Sequence, residues 1–385
     1  MKNFLLLAIA AAAIQAQAAG SVNFDMRTDL LSQKYNDAAV AGGVAGTDNY
    51  SFRLQTARID YKGSLNEKTS FRARARLAGK DQGAMEKRDN SNITLDHASG
   101  TYKFSDMIQL TMGKTSSDIG GFEGNSAGPE LYYTSETYSG GGFLGTSQAG
   151  APADKLKLSG YQNLIYATGA KLGFIIDSSN TISLMAFDLD ANTGRGRVVL
   201  PGTSASDQLQ GTTLSQNKSL LGISYFGNFM DKTLAVIASY HAQTIGDNGD
   251  TNSNFTDLSL GYTVGAFVIQ ADYNINTYNS ILGAFKPKDT LTSTNVRLVY
   301  NIDPSLALQV KASTSQENFD TTTVVSSSNK YTGYGAALEW RPKAEDVFRY
   351  HAAYQARNET PDNGGDSRQL AEFIVGMRIN GDFLK

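Results

Sequence analysis

Polar and apolar residues alternate along most of this 385-residue chain. In SVNFDMRTDL, Val22, Phe24, Met26 and Leu30 share one face, and Asn23, Asp25, Arg27 and Asp29 share the other. AFVIQADYNIN sets Phe267, Ile269, Ala271, Tyr273 and Ile275 against Gln270, Asp272, Asn274 and Asn276. A period of two residues belongs to a strand with one apolar and one polar face. TNVRLVYN, LALQVKAS, GYGAALEWRP and VFRYHAAYQAR repeat the pattern, and no amphipathic helix separates these segments. The fold class is therefore all-β.

The connections alternate in length. Short ones are expected at 63–68, 105–107, 177–180, 227–231, 263–265, 303–304 and 342–346, each with Gly, Asn, Asp, Ser or Pro turn chemistry. Long polar ones are expected at 31–49, 80–92, 115–162, 191–218, 243–254, 278–291, 315–330 and 358–366. Seven short turns and eight long loops join sixteen strands and bring both chain ends to the short-turn side. This is the pattern of a transmembrane antiparallel β-barrel of the outer-membrane type, with short periplasmic turns and long external loops. In lipid, only helices and closed barrels satisfy every backbone group. A soluble β-sandwich also alternates, but it does not explain the regular asymmetry of the connections. Aromatic residues near the short turns fit a membrane-interface girdle: Tyr61, Tyr102, Tyr225, Tyr262, Tyr300 and Trp340 before turns, Phe348 and Tyr350 after one.

The first residues, MKNFLLLAIAAAAIQAQAAG, combine Lys2, an apolar run from Phe4 to Ile14 and an A-x-A site at Ala16–Ala18. The run is too short to span a bilayer and predicts a cleaved signal peptide over 1–18. A single barrel domain then covers 19–385, with 115–162 its candidate constriction loop. There is no cysteine, which removes disulfides and thiol chemistry from consideration. A net charge of −3 gives no sign of a nucleic-acid binder.

The distribution of charge says more than its sum. FRARARLAGK alternates Phe71, Ala73, Ala75 and Leu77 with Arg72, Arg74 and Arg76. An arginine at the bilayer midplane of a barrel costs about 2–4 kcal/mol, so these three must face the lumen. In the preceding FRLQTARIDYK, Arg53 opposes Phe52 and Leu54, while Ala57, Ile59 and Tyr61 form the later apolar set. The phase slips between Gln55 and Ala57, which predicts a β-bulge and turns Arg58, Asp60 and Lys62 inward too. Like charges spaced ~7 Å along a strand repel and need counter-charge or water. The longest loop, 115–162, carries Asp118, Glu123, Glu130, Glu136 and Asp154 and is the nearest evident source of carboxylates.

FRLQTARIDYKGSLNEKTSFRARARLAG, followed by IQLTMGK, resembles the N-terminal hairpins of the phosphate-selective porin O/P family, within the wider class of sixteen-stranded Gram-negative trimeric porins. The resemblance implies an outer-membrane channel for small hydrophilic solutes and ions. It also implies a homotrimer, in contact with outer-membrane lipid and lipopolysaccharide; no cofactor is expected. By the same resemblance the third long loop folds into the pore. Arg53, Arg58, Arg72, Arg74 and Arg76 then form a basic wall opposite the loop acids Asp118, Glu123, Glu130 and Glu136. One departure concerns the loop, which has more acids than bases and only Lys155 and Lys157 near its end. The arginine-dense wall suggests a mild anion preference. The alternatives are a channel selective for phosphate, another small anion or sugar, and a plugged structural or adhesive barrel.

Other motifs are weaker. Asp247, Asn248, Asp250 and Asn252 are oxygen-rich but lack EF-hand spacing, which favours a solvated loop tip over a calcium site. Arg195 and Arg197 in ANTGRGR suit an exposed loop or a contact with lipopolysaccharide. His97, His241 and His351 sit on separate strands, and no phosphate loop, HExxH or GxSxG is present. The sequence therefore offers no catalytic site.

Overall fold

The computed structural model of the chain describes residues 20–36, 49–79, 91–126, 130–139, 164–188, 218–245, 251–280, 288–320, 327–343, 347–361 and 367–382. The expected signal peptide over 1–18, the acid and bases at 154–157, Arg195, Arg197 and residues 247–250 lie outside them.

Sixteen strands close into one antiparallel barrel in chain order, with β1 pairing β16. They are β1 (Ser21–Tyr35), β2 (Asn49–Ser64), β3 (Thr69–Gly79), β4 (Ser91–Lys103), β5 (Ile108–Ser116), β6 (Tyr166–Ile175), β7 (Asn180–Asp188) and β8 (Lys218–Phe229). The second half comprises β9 (Leu234–Ile245), β10 (Thr251–Val264), β11 (Phe267–Ser280), β12 (Lys288–Asp303), β13 (Leu306–Asp320), β14 (Ser327–Trp340), β15 (Phe348–Pro361) and β16 (Arg368–Asp382). Two short helices, α1 (Gly121–Asn125) and α2 (Glu136–Ser139), lie between β5 and β6.

All seven short connections fall where turn chemistry placed them. Several long ones are shorter than expected. β10 begins at Thr251 and β13 runs to Asp320, because the ladders continue through polar residues beyond the apolar band. Asn252 therefore belongs to a strand, where its Oδ1 accepts 3.0 Å from Asn279 Nδ2.

Alternation in sequence becomes alternation in exposure. Along β14, Tyr331 to Trp340 are buried and exposed in strict turn. Leu184, Ile223, Leu258, Leu260, Val296, Val310, Leu338 and Val375 form part of the exposed apolar face. Tyr102, Tyr262, Trp340 and Tyr350 are exposed near the short turns, as an interface girdle requires. Tyr61 differs, because the edge of Phe71 covers it at 5.2 Å between ring centroids.

Two register shifts shape the first strands. Arg27 pairs with Thr56 and Thr28 with Leu54, so Gln55 is the extra residue of β2. Arg74 pairs with His97 and Ala75 with Leu95, so Asp96 is the extra residue of β4. A bulge of this kind lets two successive side chains share a face.

The buried face is not uniformly polar. Ile119 and Leu164, which flank the third long loop, pack inside the barrel with Ile165, Met185, Phe187, Leu220 and Phe255. Tyr132 packs against Leu31, Ala337, Ala353 and Ile374. Each fully buried aliphatic side chain contributes about 1.5–3 kcal/mol. These two apolar patches hold the described parts of the loop, 117–126 and 130–139, against the inner wall before any charge is considered.

Candidate functional site in the barrel lumen

The loop leaves β5 through a tight set of left-handed residues, with φ of 57° at Asp118, 88° at Gly120 and 60° at Gly121. A Cβ on Gly121 would stand 2.1 Å from Ser259 Oγ and 2.7 Å from Asp272 Oδ1. Glycine is what lets the backbone press against β10 and β11 here. The contact is then closed by main-chain donors: Gly120 N gives 2.9 Å to Asp257 Oδ2, and Phe122 N gives 2.9 Å to Asp272 Oδ1. His241 Nε2 lies 2.7 Å from the Ser117 carbonyl oxygen.

The loop acids are held one by one. Lys171 Nζ of β6 lies 2.8 Å from Asp118 Oδ1, and Ser224 of β8 donates 3.2 Å to Asp118 Oδ2. Lys311 Nζ of β13 donates 2.7 Å to Glu123 Oε1, which also takes the Ser135 N–H at 2.8 Å. Burial alone would raise Glu123, but the Lys311 ammonium and the Ser135 donors hold its carboxyl below the usual range. Arg378 of β16 reaches Glu130 at 3.4 Å while its fork grips Asp25 of β1 at 2.7 and 3.0 Å. Arg27 gives 3.2 Å to the Leu131 carbonyl, and its guanidinium lies 4.3 Å from the centre of the Tyr132 ring. Tyr132 OH donates 2.7 Å to Glu339 of β14, and Tyr133 OH pairs with Ser313 of β13.

Glu136 stands apart. It is only 3 % exposed, and its Oε2 meets no hydrogen-bond partner. Burial pushes its carboxyl up to about 8. Arg357 opposes the rise, while Glu359, Glu317 and Glu123 reinforce it.

The described contacts of the loop thus run to β6 through β16 and to β1. The arginine wall lies on the remaining arc, on β2 and β3, and its carboxylates come from the sheet itself. Arg72 grips Asp60 with both ends of its fork, Nε at 2.9 Å and Nη2 at 2.6 Å. Arg76, Arg74 and Arg58 place their Nε atoms 3.2, 3.3 and 3.8 Å from the carboxylate of Asp96. These three are charge contacts without hydrogen-bond alignment, and Arg74 Nη2 is buried with no hydrogen-bond partner. The Arg74 guanidinium also sits 4.8 Å from the centre of the Tyr166 ring. Arg72 and Arg76 keep about a third of their side-chain surface open, at 32 % and 33 %, whereas Arg58 and Arg74 are largely covered. Arg53 pairs in register with Asp29 on the same face.

The expected residues therefore fall into two groups rather than one facing set. Arg58, Arg72, Arg74 and Arg76 assemble with Asp60 and Asp96. Asp118, Glu123 and Glu130 assemble with Lys171, Lys311 and Arg378, and Glu136 lies among the glutamates of β13 and β15. Among the described residues, the carboxylates nearest to the arginines belong to the sheet and not to the loop. The sheet supplies those carboxylates because a bulge and a neighbouring strand bring them closer than the loop does. Sequence reading missed Asp96, Lys171, Lys311 and Arg378. Lys171 in GAKLGF and Lys311 in LQVKAS occupy polar-phase positions of their strands, and that phase was the available signal.

The sequence model describing phosphate-selective porin O and P matches residues 33–380. The chain belongs to that family. No curated protein matches it in sequence. Among solved structures it is similar to an anion-selective porin from Comamonas acidovorans, with a TM-score of 0.61 at 10% identity, covering 94% of this chain and 99% of that one. The outer membrane channel DcaP of Acinetobacter baumannii gives 0.60 at 11% identity, covering 95% and 98%. OmpF of Salmonella typhi gives 0.58 at 11% identity, covering 94% and 97%. At such identities these likenesses speak for the fold, and the family match supplies the rest: this porin is an outer-membrane channel protein.

Proposed function

We propose that this porin passes small hydrophilic solutes and ions by passive diffusion, with a preference for anions set at the arginine wall of β2 and β3. The observation that carries this reading is the separation of the two charged groups. Three loop acids, Asp118, Glu123 and Glu130, are occupied by Lys171, Lys311 and Arg378 of other strands. Among the described residues, the ion pairs of the near arc set Arg58, Lys62, Arg72, Arg74 and Arg76 against Asp60 and Asp96. Rings of like charge bias what a pore conducts, and arginine keeps its charge at any working pH. The similar barrel from Comamonas acidovorans is described as anion-selective, which agrees with this reading.

The mechanism asks for no chemistry on the solute, so the protein acts as a channel rather than an enzyme. A homotrimer is part of the proposal. One similar structure, OmpT of Vibrio cholerae, is described in a trimer form. The outward positions Ala73, Ala75, Ala98 and Gly100 offer a low-relief face for a neighbour. A second reading, selectivity for phosphate itself, follows from the family's description.

The test is bilayer conductance of the purified protein under a potassium chloride gradient. The reversal potential is expected on the anion side, and replacing Arg72, Arg74 and Arg76 by alanine is expected to move it towards the cation side. A cation-side potential in the unaltered protein would refute the proposal. Block of the chloride current by inorganic phosphate, absent with sulfate, would favour the second reading.

A further inference from the structure

The two counter-charges of the arginine wall are placed by different means. Asp60 stands at an ordinary inward position of β2, directly across from Arg74 in register, and serves Arg72 through a two-pronged bond. Asp96 is the extra residue of the β4 bulge. In a strict period of two, either Asp96 or His97 would point outwards into lipid. The bulge turns both inwards: Asp96 is 2 % exposed, and His97 is buried with its ring 5.1 Å from Tyr166. One carboxylate thereby sits among three guanidinium groups, with Arg58 on β2 and Arg74 and Arg76 on β3.

We infer that Asp96 is a specificity-determining residue of the channel: it positions Arg58, Arg74 and Arg76 as a single cluster and subtracts from the positive charge that they offer to a passing anion. The inference rests on the reading that the arginine wall borders the ion path. Its physical content is a competition. Arg74 Nη2 has no hydrogen-bond partner, and Arg76 is a third open, so the cluster holds more donors than its one carboxylate can use. A solute anion and Asp96 draw on the same cations. Taking the carboxylate's charge away leaves that attraction to the solute.

Asp96→Asn keeps the shape and removes the charge. In a planar bilayer under a potassium chloride gradient, it is expected to raise the anion-to-cation permeability ratio about fourfold, since one unit charge about 10 Å from the ion path through water shifts anion and cation about twofold each in opposite directions. Inorganic phosphate is expected to block its chloride current at lower concentration than in the unaltered protein. A residue that only stiffened the wall would change yield or melting and leave the ratio of the folded channels where it was.

A second comparison does not depend on the single variant folding. Arg76→Gln alone is expected to lower the ratio, and Asp96→Asn added to Arg76→Gln is expected to bring it back to the starting value. If Asp96→Asn leaves both backgrounds unchanged while the triple arginine replacement shifts selectivity, the role given to Asp96 is wrong and the wall reading stands. If the triple replacement shifts nothing either, the wall reading itself falls.

Discussion

The lumen has two walls that solve one problem in opposite ways. On the arc from β6 round to β1, Lys171, Lys311 and Arg378 meet carboxylates carried by a loop, across separations of 53 residues for Lys171 with Asp118 and 188 for Lys311 with Glu123, beside sheet pairs such as Arg378 with Asp25. On β2 to β4, wall cations meet carboxylates of their own sheet, with Arg72 and Asp60 only 12 residues apart. The first arrangement makes pore width depend on a docked segment. The second makes the field depend on neighbouring strands that cannot move apart. In the proposed channel, width and selectivity are therefore assigned to different residues, and they can be disturbed separately.

The largest expected effect falls on the loop-bearing arc. Lys311→Met leaves Glu123 buried without its ammonium, and breaking a buried pair from one side costs about 3–5 kcal/mol. The loop should release, with higher and noisier single-channel conductance and little change in ion preference. Wild-type conductance in this variant would mean that the pair does not hold the pore's width.

Glu136 gives the next largest effect, and it is a pH effect. Its carboxyl is raised by burial to about 8 in the folded protein, from 4.5 in the open chain. The folded state binds the proton more tightly. The stability this contributes is complete below about 4.5 and is lost as pH rises through about 8. The groups facing it are Arg357, Glu359, Glu317 and Glu123, with three of the four sharing its charge. Conductance noise from loop motion should grow on the alkaline side, and Glu136→Gln should abolish that growth. A flat profile in the unaltered protein would show that this carboxyl does not govern docking.

Gly121→Ala should act on the same arc with a smaller cost, about 1–3 kcal/mol, from a left-handed backbone and a blocked approach to Ser259. Thermal unfolding and conductance should shift together, and if only unfolding moves, the contact does not position the loop.

Arg72→Lys on the opposite wall should do least. It keeps the charge and loses the fork, at a cost of under about 1 kcal/mol for a partly exposed pair. Selectivity should hold while melting falls slightly. A clear change in reversal potential would show that arginine geometry, and not charge alone, shapes the field.

Sequence and structure agree most where lipid imposes the pattern. The strands were legible because one face must be apolar for the full bilayer thickness. Their outer ends were not, since Thr251–Asn254 and Ser315–Asn318 are polar at every position and the contrast vanishes. The slip at Gln55 was readable because Ala57, Ile59 and Tyr61 re-establish an apolar phase. The same kind of slip at Asp96 is harder to read: the residues that resume the outward face begin with Ala98 and Gly100, too small to mark it before Tyr102. The loop's partners were out of reach for another reason. Alternation tells which wall residues face inwards, but not which of them a loop will pass.

The seam between β1 and β16 has a consequence for assembly. Arg378 and Asp25 are 353 positions apart in the chain, and the same Arg378 also reaches Glu130. Across that seam Arg27, which supports Leu131, pairs in register with Arg378. The final mooring of the loop therefore exists only once the two chain ends have met, since neither guanidinium has its full surroundings before then. Bringing such distant residues together is the slow, entropically costly event of folding. A barrel whose two ends had not met would therefore lack the clasp in which Arg378 joins Asp25 and Glu130, so this one guanidinium ties the inner segment to the closure of the cylinder.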